Sequence, residues 1–152
     1  MTTPEPMLVR IAAATSLGSR GEPRAAELEL TKIWDELGDD GDPLHRCAVA
    51  HALADLQPEV REELAWDLRA LDAAAGITDE RAAAATGTAA RGFAPSLHLN
   101  VAEAYRKLGD LPSARVHVDK GLAHVDALED DGYGRMIHGG LARLSERLAA
   151  DE

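Results

Sequence analysis

Residues 98–118, HLNVAEAYRKLGDLPSARVHV, decide how this chain is read. Gly109-Asp110 punctuates the middle, and glycine is the residue that readily takes the left-handed conformation ending a helix. Pro112 follows where a second helix would begin, a place that suits proline because its missing N–H has no intrahelical partner there. Val101, Ala102 and Tyr105 before the glycine, and Ala114 and Val118 after it, recur at helical spacing. The stretch reads as two helices joined by a tight turn.

Working outward, the same marks divide the rest of the chain. Five of the seven prolines (Pro23, Pro43, Pro58, Pro95 and Pro112) stand at expected helix starts. Gly21, Gly38, Gly76 and Gly109 each close an apolar stretch, as left-handed caps would. The marks predict helices near 5–19, 23–37, 43–56, 58–75, 95–108, 112–128 and 133–149, joined by short connections that make successive helices antiparallel neighbours. Val60, Leu64, Leu68 and Leu71 form one stripe, and Ile137, Leu141, Leu144 and Leu148 another, with Arg143, Glu146 and Arg147 on the outer face. Residues 77–94, rich in Ala, Thr and Gly, read either as a short helix over 79–86 with Thr78 as N-cap or as a mobile connector interrupted at Gly87 and Gly92.

Composition agrees with an all-α chain. Its 152 residues include 29 Ala and 20 Leu against 11 Val plus Ile, and no run alternates with the period of a strand. The net charge of −11 disfavours nucleic acid as a partner. No window has the apolar length of a membrane span and the first ten residues are too polar for a signal peptide, so a cytoplasmic protein without a membrane partner is expected. Thirteen arginines against three lysines, with the alanine load, fit a GC-rich bacterial genome.

The stretch 19–30 aligns with 107–118: each has a glycine turn, an acidic residue, a small residue five places after the glycine and an apolar residue four further on. With His98, Val101, Ala102 and Tyr105 ahead of Gly109, and Ala114 and Val118 behind it, the spacing resembles the tetratricopeptide repeat. The resemblance implies about three antiparallel helical hairpins stacked as a short right-handed solenoid in one domain spanning 1–152. Repeats would cover about 7–40, 42–75 and 95–128, with 77–94 inserted and a capping helix at 133–149. Helices approach closely only where a side chain is tiny, which assigns Ala14, Ala26, Ala102 and Ala114 to helix crossings. His98 stands where the family prefers tryptophan and Gly121 where it prefers alanine.

The family lines its concave face with the first helix of each hairpin. Carried over, this selects Ser96, Leu99, Asn100, Glu103, Arg106 and Lys107 in the third repeat, Cys47, Ala48, His51, Ala54 and Asp55 in the second, and Ile11, Ala12 and Thr15 in the first. Asn100 matches the asparagine that bonds a bound peptide's backbone. The lysine and asparagine that clamp a terminal carboxylate in some members are replaced by Ile11 and Thr15.

The six histidines (45, 51, 98, 117, 124 and 138) show neither zincin nor di-iron spacing, though His51 with Asp55, and His117 with His124, share helix faces. Cys47, with His51 one turn on, reads as a filler of a small buried gap rather than a nucleophile. The clusters 39–42 and 129–132 lack calcium-loop spacing and read as turns in which Asp42 and Asp131 favour the helix that follows. Trp34 and Trp66 read as packing between helices. The expected function is therefore a non-catalytic protein- or peptide-binding adaptor without cofactor or metal, its acidity favouring a basic partner. Two alternatives remain: a small-ligand sensor or enzyme around His51, Asp55 and His98, and a self-associating module such as a homodimer, joined through terminal-helix faces that include Leu144 and Leu148.

Overall fold

The computed structural model describes residues 5–86 and 90–151, and among these every regular element is helical. The chain divides into two compact units, the first ending at Ile77 and the second beginning at Thr78. The first holds α1 (Pro6–Ser19), α2 (Pro23–Leu37), α3 (Pro43–Ala54) and α4 (Val60–Ala74). The second holds α5 (Asp79–Thr86), a 3-10 turn (Ala90–Phe93), α6 (Ala94–Lys107), α7 (Leu111–Leu122), a second 3-10 turn (Val125–Ala127) and α8 (Gly132–Ala150). Among the described residues no helix is long and apolar enough to cross a membrane.

Within the first unit α1 pairs with α2 and α3 with α4, and α3 also packs on α1 and α2. The core is Ile11, Ala14, Leu30, Ile33, Val49, Ala52 and Leu53, with Trp34, Leu37, Leu56 and Trp66 against its edge. Within the second unit α6 pairs with α7, and α8 lies on both. Ala102, Ala114, Val118, Leu144 and Leu148 form a core flanked by Leu99, Tyr105, Leu111 and Leu122. Ala26, Ala102 and Ala114 are fully buried and Ala14 nearly so, the places where small side chains let helices close up.

The two aligned turns are built alike. Asp110 N–H donates to Tyr105 O (3.0 Å) and Gly109 N–H to Arg106 O (3.0 Å); Glu22 N–H donates to Leu17 O (2.9 Å) and Gly21 N–H to Gly18 O (3.2 Å). With φ of +83° at Gly109 and +85° at Gly21, both are Schellman caps. The likeness between 19–30 and 107–118 is thus one of backbone geometry.

Three expectations about boundaries change. Gly76 is not among the positive-φ glycines, since α4 ends in right-handed turns with Gly76 N–H on Ala73 O (3.0 Å). Pro58 does not open α4, which starts at Val60 after an extended Glu59 (φ −92°, ψ 128°). The helix expected over 112–128 stops at Leu122 as α7 and resumes only as the Val125–Ala127 turn. The connector does contain the short helix: Thr78 Oγ1 accepts from Arg81 N–H (3.1 Å) at the start of α5. Gly87 lies outside the described residues.

Candidate functional site

Helical period sends Val101, Ala102 and Ala104 of α6 into the core and leaves Leu99, Asn100 and Glu103 half-buried on another face. That face and α8 enclose an open groove of about 390 Å³ lined by Leu99, Asn100, Glu103, Gly140, Arg143, Leu144 and Arg147. At Gly140 an added Cβ would meet Leu99 Cδ2 at 3.0 Å, so a larger residue there requires the Leu99 side chain to shift. Leu99 and Leu144 give the groove an apolar base continuous with the core.

Polar groups stand on both walls. Arg106 holds the Glu103 carboxylate through two hydrogen bonds, Nε to Oε2 (3.0 Å) and Nη2 to Oε1 (2.6 Å). This bidentate grip keeps the Glu103 carboxyl below the usual carboxylate range, with Lys107 and Arg147 adding smaller pulls in the same direction. Asn100, one turn back on α6, carries an amide that both donates and accepts. Arg143 and Arg147 stand one turn apart on α8 and are exposed. An amide, a tied carboxylate, two guanidinium groups and leucine make a surface suited to holding a ligand.

The other expected residues distribute as follows. Ser96 donates from Oγ to Phe93 O (3.4 Å) in the first turn of α6, and Lys107 ends that helix exposed. Asp55 lies just past α3, beside a smaller hollow of about 210 Å³ that Thr15, Gly18, Ser19, Leu30, Ala52 and Leu56 complete. His51 is half-buried on α3, whereas Ile11, Cys47 and Ala54 are buried. Burial also pushes the Cys47 thiol up to about 11, so it stays protonated near neutrality.

His98 is only 8% exposed, and its ring faces His117 of α7 with the two Nδ1 atoms 2.9 Å apart. Tyr105 stacks on His117 with centroids 5.7 Å apart. Burial, then His117, Lys120 and His124, lower the His98 pKa to about 4; burial and Lys120 lower that of His117. Among the described residues no three His, Cys, Asp or Glu side chains gather as a metal-holding group.

Trp34 and Trp66 meet edge to face at 5.2 Å against the first core, with Arg46 stacked over one ring at 4.2 Å and Arg69 over the other at 4.3 Å. Both acidic clusters supply caps: Asp42 Oδ1 accepts from Leu44 N–H (2.9 Å), and Asp131 Oδ1 from Gly134 N–H (2.8 Å). Leu144 and Leu148, expected on an exposed face, are 6% and 1% exposed because α8 turns that stripe onto α6 and α7.

Sequence reasoning selected the α6 wall of the groove and missed the α8 wall. Arg143 and Arg147 were legible as a same-face pair, but nothing local says that their face borders α6. Compared with known proteins, the chain matches no family model, no curated sequence and no solved structure.

Proposed function

We propose that this chain is a non-catalytic protein- or peptide-binding module of the tetratricopeptide kind, an adaptor or scaffold that takes its partner in the α6–α8 groove. The observation that carries this reading is the groove itself, with apolar Leu99 and Leu144 beneath and hydrogen-bonding Asn100, Arg143 and Arg147 at the sides. A peptide needs both: apolar contact for affinity and polar groups for its unpaired backbone. The matching caps at Gly21 and Gly109 support the repeat assignment. So does the packing of first helices, α1 on α3 and, across the hairpin, α6 on α8.

The test is peptide affinity measured on the full chain. Asn100→Ala with Arg106→Ala should weaken binding about tenfold or more, while His51→Ala leaves it unchanged. Affinity that survives the double substitution contradicts the reading.

A second reading, self-association, rests on Tyr133 and Met136, one turn apart on α8 and 56% and 58% exposed. It requires a dimer mass in light scattering that Met136→Glu returns to monomer; a monomeric wild type removes it.

A further inference from the structure

We propose that the occupant of the α6–α8 groove is an acidic peptide segment bearing leucine-like side chains, its carboxylates seated on Arg143 and Arg147. The inference rests on the groove being a peptide site and adds the chemistry of what enters it. Arg143 and Arg147 are four residues apart, so both guanidinium groups leave α8 on the same side, where each lines the groove. Among the described residues neither has a carboxylate within ion-pair distance, whereas Arg10, Arg106 and Arg135 each do. The carboxylate on the facing wall, Glu103, is already held at both oxygens by Arg106. The lining therefore presents two arginines outside any ion pair, Arg147 feeling only a weak pull from Glu103, beside Leu99 and Leu144 in a chain whose net charge is −11.

The overall charge argues for a basic partner and the groove for an acidic one, so distance decides between them. At physiological ionic strength charges are screened beyond about 8 Å, and a ligand carboxylate in the groove feels the arginines at contact. Only −3 of the total lies in residues 77–152. Guanidinium groups also bind carboxylates in a two-point geometry that lysine ammonium groups do not offer. The local pair therefore outweighs the distant excess.

The experiment is selection of a random-sequence displayed peptide library on the full chain, followed by fluorescence anisotropy with a selected peptide and its Gln/Asn counterpart. Selected sequences should be net acidic with interspersed leucine-like residues. The amide counterpart, and the Arg143→Gln/Arg147→Gln protein, should each bind about tenfold or more weakly. Both arginines are exposed, so the variant should keep its helical circular dichroism. Neutral or basic selected sequences overturn the proposal, as does an acidic peptide indifferent to the arginine variant; if binding still falls with Asn100→Ala/Arg106→Ala, the groove reading survives that result. Selection of nothing, or of peptides insensitive to both double variants, overturns the groove reading and the acidic occupant together.

Discussion

His98 and His117 meet head-on across the α6–α7 hairpin: the 5.2 Å between ring centroids is the 2.9 Å Nδ1 separation plus the two nitrogen-to-centroid distances. In that geometry one Nδ1 must carry a proton and the other must not. A separation of 2.9 Å is also too short to seat a metal between the two nitrogens, each of which would need a bond of about 2 Å. Around the pair stand Lys120 and His124, with Tyr105 against His117, so added positive charge gains no carboxylate partner among the groups that act on His98. His98 titrates at about 4 in the folded chain against about 6.5 unfolded, so the folded state binds fewer protons between those values. Stability from the neutral ring is complete above about pH 6.5 and is lost as pH falls toward about 4. Urea unfolding should show a loss on the order of 2–3 kcal/mol over that window, and His98→Leu should flatten it. An unchanged pH profile in the variant refutes this role. The sequence pairs His117 with His124 along one helix and singles out His98 separately; that His98 meets His117 follows only from the packing of α6 on α7.

Glycines sort at the same scale. Gly109→Ala forces a side chain into a φ of +83° and should cost about 1 kcal/mol in urea unfolding. Gly76→Ala should be neutral or slightly stabilising, because its φ is not positive and an added Cβ would meet Pro43 Cγ at 3.4 Å, near ordinary contact. Equal losses at both positions contradict the assignment of caps.

Among elements, α8 carries the largest difference between expectation and structure. Its stripe of Ile137, Leu141, Leu144 and Leu148 was legible from periodicity, and all four are buried. What the stripe packs against was not legible, because periodicity states that a face is covered and is silent on by what. Leu148→Ala should therefore cost about 2–5 kcal/mol, read from the urea midpoint. Leu144→Asp should unfold the α6–α7–α8 core rather than split a dimer; a folded, monomeric Leu144→Asp chain contradicts this packing. Helix starts at Pro23, Pro43, Pro95 and Pro112 were plain because proline acts locally. The end of α7 at Leu122 carries no such mark. There the chain passes from Ala123 N–H on Asp119 O to His124 N–H on Gly121 O, tightening the last turn without a glycine cap.

For the whole molecule, net charge and local charge give opposite expectations of a partner. The −8 of residues 1–76 keeps a basic partner as the expectation for the first unit, while the groove of the second presents arginines. Composition could foresee the first and not the second, since one pair of side chains barely alters a total of −11. The all-helical fold was legible throughout, because alanine and leucine content, proline starts and glycine stops agree with one another. The site was half legible: its α6 wall came from the repeat spacing, and its α8 wall exists only after tertiary packing.

Backbone-amide NMR of the full chain, titrated with a selected peptide, tests the central claim most directly. Shifts should concentrate at Leu99–Glu103 on α6 and Gly140–Arg147 on α8, the two walls of the groove. Shifts confined to the α2 face around Pro23–Thr31, where the chain has another open hollow, would contradict it.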